Sequence, residues 1–181
     1  MVGQKHSVAL RFDKATDGKL AELRARLRDL GLLVDKHEGF PHITVAAYED
    51  VDIDQLLQWV ESFVIKRSAF EIRFSSIGIF PPSGNYPDTA LIFASPAHSR
   101  ELVSFYHDFH EKLDEFCGDI GWLYSMVFGY PVIHSTIGVV KSDNVQKALN
   151  IAFSSLDFGT AKVVAVEVYT YPLELVKRFE L

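Results

Sequence analysis

One cysteine, Cys117, occurs in 181 residues, so no internal disulfide can form, and a reducing compartment is compatible with that. No apolar run approaches the length that a membrane helix needs, which excludes a helical membrane span. Positive charge is scarce: 18 Lys and Arg stand against 24 Asp and Glu, for a net charge of −6. That argues against a broad electropositive face for duplex DNA or long RNA, but leaves room for a local site that holds one phosphate. Low-complexity segments, long charge runs, a phosphate-binding glycine loop and a nucleophile elbow are all missing, and Ser83-Gly84-Asn85 reads as a turn. Met1-Val2-Gly3-Gln4-Lys5-His6 lacks the apolar core of a signal peptide, so the expectation is a cytoplasmic protein. What is present is ordinary for a globular chain, 48% hydrophobic and 23% charged. The length predicts a single domain over residues 1–181 with a real core, and we expect a monomer.

The pattern along the chain alternates between the two regular periods. Val8 to Phe12 reads as a strand, and from Asp17 a helix carries Leu20, Leu23, Leu27 and Leu30 until Gly31 stops it. Pro41 to Tyr48 is a strand, Asp52 caps a helix through Leu56, Val60 and Val64, and Phe70 to Phe80 is a strand. The turn cluster Pro81-Pro82-Ser83-Gly84-Asn85 marks a boundary between lobes of about 1–83 and 84–181. The second half repeats the order. Ala90 to Ala94 is a strand, and Ser95-Pro96 opens a helix with Leu102, Phe105, Phe109, Leu113 and Phe116. Val132 to Val140 is a strand, Asp143 opens a helix, Lys162 to Tyr171 is the last long strand, and Leu173 to Leu181 adds an edge strand. Each half thus runs strand, helix, strand, helix, strand, a weak internal repeat. It predicts an α+β fold of two pseudo-symmetric lobes. Each is an antiparallel sheet with helices outside, and the two flank a central cleft.

The middle strand of each half carries the same motif, His42-Ile43-Thr44-Val45 and His134-Ser135-Thr136-Ile137. Strand residues i and i+2 share a face, so each motif presents one imidazole and one hydroxyl together. Two such strings arise by chance in on the order of one in a hundred sequences of this kind, and matching places in a repeated order are rarer again. A single histidine of this type is more simply a structural residue; the pair points to chemistry. Two imidazoles titrating near neutral pH can take and give a proton, and two hydroxyls can donate to phosphoryl oxygens that gain charge in a transition state. This set suits phosphodiester cleavage with no metal and no cofactor.

At these residues the chain resembles the two-histidine (2H) phosphoesterase superfamily, which includes RNA 2′,5′-ligase-like proteins and cyclic phosphodiesterases. The resemblance rests on Pro41-His42-Ile43-Thr44-Val45, on His134-Ser135-Thr136-Ile137, and on Ile77-Gly78-Ile79-Phe80-Pro81 followed by Ala90-Leu91-Ile92-Phe93. It implies a bilobal fold and metal-independent chemistry on 2′,3′-cyclic phosphates or 2′,5′-linked oligonucleotides. It also implies catalytic histidines at His42 and His134 with hydroxyl partners Thr44 and Thr136. The implied partner is a small nucleotide or an RNA terminus. A 2′,5′ RNA ligase or phosphodiesterase and a non-catalytic RNA-binding module are the alternatives. The chain departs from the common pattern where Val132 and Ile133 separate Pro131 from His134, and where Ser135 replaces an apolar residue.

Other groups compete for attention. His107 and His110, with Asp108 and Glu111 beside them, have a helical spacing that would let them share a metal, although a solvated helix face is the preferred reading. His37-Glu38-Gly39 precedes the first motif and borders the cleft or forms a surface loop; His6 has no evident partner. Trp122, Tyr124, Phe128 and Tyr130 lie before the second motif, where aromatic rings either stack on a base or cap the core. Among them Tyr130, four residues before His134, is the chosen substrate-binding residue.

Overall fold

The computed structural model describes residues 5–35, 40–84, 87–127, 129, 131–156, 159–170 and 173–181. The first half forms β1 (His6–Phe12), α1 (Lys14–Asp29), β2 (Ile43–Tyr48), α2 (Ile53–Val64) and β3 (Phe70–Phe80). The second forms β4 (Thr89–Pro96), α3 (Arg100–Phe109), the single turn α4 (Gly118–Gly121), β5 (Ser135–Lys141), α5 (Val145–Ser155), β6 (Thr160–Thr170) and β7 (Glu174–Glu180). None of the described helices is long and apolar enough to cross a membrane.

Helix ends follow local chemistry, with corrections to the sequence reading. α1 starts at Lys14, ahead of Asp17, with Asp13 capping it by accepting from the Thr16 N–H, and Gly31 at φ +67° ends it. Asp52 caps α2 as expected. Ser95-Pro96 is not a helix start: Pro96 closes β4 opposite Phe74, and Ser99 caps α3 by accepting from the Leu102 N–H. Proline has no N–H to give, so a strand end accommodates it. That helix stops at Phe109 with His110 as its C-cap, short of Leu113 and Phe116, and Leu113 takes a left-handed conformation, φ 68°, before a separate 3-10 turn. A 3-10 turn at Ser142–Asn144 precedes α5, so Asp143 lies in the turn and not at a cap.

All strand pairs are antiparallel, in the order β2-β1-β6-β3-β4-β5, with β7 also on β6. This order reads the same from either end when β1, β2, β3 are exchanged for β4, β5, β6. The halves are therefore related, and they trade their third strands: β6 pairs β1, and β3 pairs β4. β3 makes the junction, with Phe70–Arg73 on β6 and Phe74–Phe80 on β4. Helices cover the sheet by lobe. α2 and α3 pack together through Trp59, Phe63, Phe105 and Phe109, while α1 meets α5 and β5. The buried core runs through both lobes, from Val8, Val45 and Leu56 to Ile92, Val140 and Ala152. It orients the two motif strands, which end the sheet path on opposite sides.

Candidate active site

The motif strands begin one residue after each histidine, at Ile43 and Ser135, and not at Pro41 or Val132. Each imidazole is thus free of the ladder yet tied to the backbone. His42 Nδ1 lies 2.8 Å from the Phe40 carbonyl, and His134 Nδ1 lies 2.6 Å from the Val132 carbonyl. A carbonyl only accepts, so both Nδ1 atoms carry hydrogen. The neutral ring then leaves Nε2 as the nitrogen that can take a proton.

Alternation along each strand gives the expected faces. Thr44 and Thr136 are half-buried while Ile43, Val45, Ser135 and Ile137 behind them are buried. One cavity of about 580 Å3 is lined by His42, Thr44, His134 and Thr136. Phe80, Leu91, Leu123, Tyr124 and Val132 form its apolar wall. The four motif side chains thus converge, two imidazoles and two hydroxyls around a space of ligand size.

The rings around each histidine differ. Phe40 lies against the His42 ring, 5.1 Å between centroids, and stacks on Tyr169. Above Phe40 sits the Arg11 guanidinium, 4.2 Å from the ring centroid, itself held by Asp17 and Glu167 at 2.8 and 3.0 Å. His134 sits against Phe80 and Phe93, both 5.0 Å away. Phe93 lies across Gly78: a Cβ there would come within 2.2 Å of the ring. Gly78→Ala should therefore push Phe93 from beneath His134. We expect a loss of about 1–3 kcal/mol from overpacking, and a fall in turnover beyond what unfolding explains. Thermal melts and kcat measured well below the melting temperature separate the two.

Burial lowers the pKa of both histidines, and for His42 the charges of Arg11 and His134 add to that, against the raising effects of the Phe40 carbonyl and Glu167. A pair that must be one neutral and one protonated then works best between two values that both lie below the ordinary 6.5. The profile of kcat/KM against pH should be a bell with its maximum on the acid side of 6.5. A maximum above pH 7 would contradict it. Stability also falls toward acid pH. Below 6.5 the unfolded chain binds protons that the folded histidines resist, so their contribution is full above 6.5 and is lost as pH falls.

The other sequence candidates fall as follows. His107 is exposed, whereas His110, one position past α3, is buried with Nδ1 2.6 Å from Asp114 and Nε2 2.9 Å from the Val45 carbonyl. The two do not face one another, and only His107 lies on a solvated face. Burial and neighbouring Asp114 push the Cys117 thiol up to about 12, so it stays protonated. His6 is buried against the Tyr169 backbone and does not line the cavity. Of the aromatic residues, Tyr124 lines the cavity and Trp122 is exposed; Phe128 and Tyr130, like His37-Glu38-Gly39, lie outside the described residues. Sequence reasoning missed Arg11, Phe40, Phe93 and Tyr106, whose hydroxyl donates to the Thr44 carbonyl. The period of α3 carried a signal for Tyr106 and His110, since both continue the stripe of Leu102 and Phe105.

Comparison with known proteins agrees with this arrangement. A search of curated protein sequences finds no match. Among solved structures, Escherichia coli LigT complexed with 3′-AMP superposes with a TM-score of 0.61 at 12% identity, covering 100% of this chain and 99% of that one. Kluyveromyces marxianus Usb1 with uridine monophosphate gives 0.56 at 7% identity, covering 99% of each chain. A protein described as a phosphoesterase gives 0.55 at 13% identity, covering 99% and 98%. At these identities the likeness is one of fold. The family model for the 2′-5′ RNA ligase superfamily matches residues 40–173, a span that takes in both His-x-Thr motifs and most of the chain. On that match, joined to a shared fold over the whole length, the chain belongs to the 2′-5′ RNA ligase superfamily.

Proposed function

We propose that this protein is a metal-independent phosphoesterase that hydrolyses 2′,3′-cyclic phosphates of nucleotides or RNA ends. The observation that carries the reading is the convergence of two equally anchored imidazoles and two threonine hydroxyls on one cavity. One histidine accepts a proton at Nε2 from water as its oxygen bonds to phosphorus. The other, protonated, gives its Nε2 proton to the sugar oxygen as the phosphorus–oxygen bond breaks. The roles exchange in the ligating direction. Thr44 and Thr136 donate to the non-bridging oxygens. The nucleotide ligands of the LigT and Usb1 structures support a substrate of nucleotide size. The test is a screen of cyclic nucleotides, RNA ends with a cyclic phosphate and 2′,5′-linked dinucleotides, with product ends identified. Turnover of the 2′,5′ linkage alone would move the reading to a 2′,5′-phosphodiesterase or ligase. Tight binding with no turnover would favour a non-catalytic RNA-binding module.

Charge sets the size of the substrate. With a net charge of −6, and with Arg11, Arg24, Arg67 and Arg178 each paired to a carboxylate, we expect one or two phosphates to be held. Each phosphate contact on a single strand contributes about −0.7 to the slope of log affinity against log salt. A cyclic mononucleotide and a long RNA with the same end should give similar kcat/KM values and shallow slopes. A strong preference for long RNA, with a slope signifying five or more contacts, would overturn this.

A further inference from the structure

Both motif strands carry a β-bulge at the same place. Val8 pairs Ala46 while Ala9 pairs Thr44, so Val45 is the extra residue of β2. Ile92 pairs Gly138 while Phe93 pairs Thr136, so Ile137 is the extra residue of β5. Each bulge residue directly follows its threonine. A bulge re-aims the side chains beside it, and one that is not held leaves them loose.

Each bulge is held by a side chain from the helix of the other half. The Val45 carbonyl accepts from His110 Nε2 at 2.9 Å, and His110 Nδ1 lies 2.6 Å from Asp114 Oδ1. The Ile137 carbonyl accepts from Arg24 Nη1 at 2.8 Å, and Arg24 Nη2 is paired with Asp35. The two arrangements match: a buried base, a carboxylate behind it, and the bulge carbonyl in front. His110, Asp114 and Arg24 are 3%, 8% and 9% exposed. The Val45 carbonyl can only accept, so His110 Nε2 carries hydrogen and donates to it, as Arg24 Nη1 donates to Ile137. Each carboxylate also ties in a neighbouring segment. Asp114 Oδ2 accepts from Ser125 Oγ at 2.6 Å, next to Tyr124 in the cavity wall, and Asp35 Oδ1 accepts from the Val139 N–H at 3.2 Å. Cys117 Sγ lies 3.8 Å from Asp114 Oδ1, and the Tyr106 ring stacks on His110.

We propose that His110 and Arg24 are equivalent positioning residues, each a buried hydrogen-bond donor that holds the bulge after one threonine and thereby aims that hydroxyl into the cleft. His110 with Asp114 sets Thr44; Arg24 with Asp35 sets Thr136. The inference rests on the proposed phosphoesterase reading.

Double-mutant cycles on the full chain test it. His110→Gln should lower kcat roughly 10 to 100-fold, within the range of a lost oxyanion donor, with little change in KM. In a Thr44→Ala background it should cost less than about twofold more, because a hydroxyl already gone cannot be misplaced. In a Thr136→Ala background it should keep its full effect. Arg24→Gln should show the mirror image. Equal losses in every background would reduce both residues to general stabilisers and overturn the proposal. If His110→Gln does not fold, Asp114 carries the test. Asp114→Asn, which can donate to a neutral His110 and still accept from Ser125, should restore most of the kcat lost in Asp114→Ala. Two further readouts need no turnover. Nitrogen-15 imidazole spectra should show hydrogen on His110 Nε2, and a bare Nε2 would overturn its clamp. Amide exchange at the two bulges should quicken at Val45 and Ala46 in His110→Gln and at Ile137 and Gly138 in Arg24→Gln. Unchanged exchange would overturn the clamps. A wild-type chain that cleaves no phosphodiester would sink the proposed function while leaving these two results to decide the clamps.

Discussion

His42→Ala, His134→Ala and the double variant should all fold and should all lose nearly the same activity, on the order of a thousandfold or more. The expectation follows from the way that two proton carriers work as a unit. When one is absent, the other has no step to complete, so the second loss adds little. The structure adds a reason to expect intact folds. Both imidazoles stand outside the strand ladders, each with one backbone hydrogen bond, to Phe40 and to Val132. Removing the ring costs that bond and the contacts with Phe40 at one site and with Phe80 and Phe93 at the other. The aromatic neighbours remain packed, so circular dichroism and melting should move little. Specific activity on a cyclic nucleotide is the measurement. Full activity in either single variant would end the two-histidine mechanism, and multiplying losses would show that the rings act independently.

Thr44→Ala and Thr136→Ala should each cost roughly 10 to 1,000-fold in kcat, the range for one oxyanion donor, and the double variant should approach the product. The hydroxyls face the cavity because each is two residues from its histidine on an extended backbone, and each is next to a bulge. Substitution by serine tells more than alanine. Thr44→Ser and Thr136→Ser keep the donor but lose the methyl group that limits χ1, so the hydroxyl spends part of its time elsewhere. They should fall between wild type and alanine. Alanine variants as active as wild type would mean that the phosphoryl oxygens are bound by other groups.

Several of the strongest features were readable because they depend on neighbours in sequence. The faces of the two motifs follow from the period of the strand, the stop of α1 from Gly31, and the cap of α2 from Asp52. The repeated order of elements pointed to a two-lobed α+β fold, and the strand order bears the symmetry out. Where the reading failed, a distant partner had decided. Ser95 followed by Pro96 has the local form of a helix start, but the Ser95 hydroxyl donates to the Ile133 carbonyl, 38 residues away, and Pro96 finishes a strand beside Phe74. His110 looked like part of a solvated face because its acceptor, Val45, is 65 residues away.

By itself, then, the sequence determined the chemistry on offer: which residues share a face, where two like motifs lie, and that acidic residues outnumber the cations that could grip a long polyanion. Local dihedral preferences and side-chain periodicity suffice for that. The tertiary structure alone decided that the halves trade β3 and β6, that both threonines stand before a bulge, and that helices of opposite halves hold those bulges through His110 and Arg24. Pairing between distant strands and the burial of a charge against a remote carbonyl depend on the whole core packing at once, and no window of sequence contains both partners.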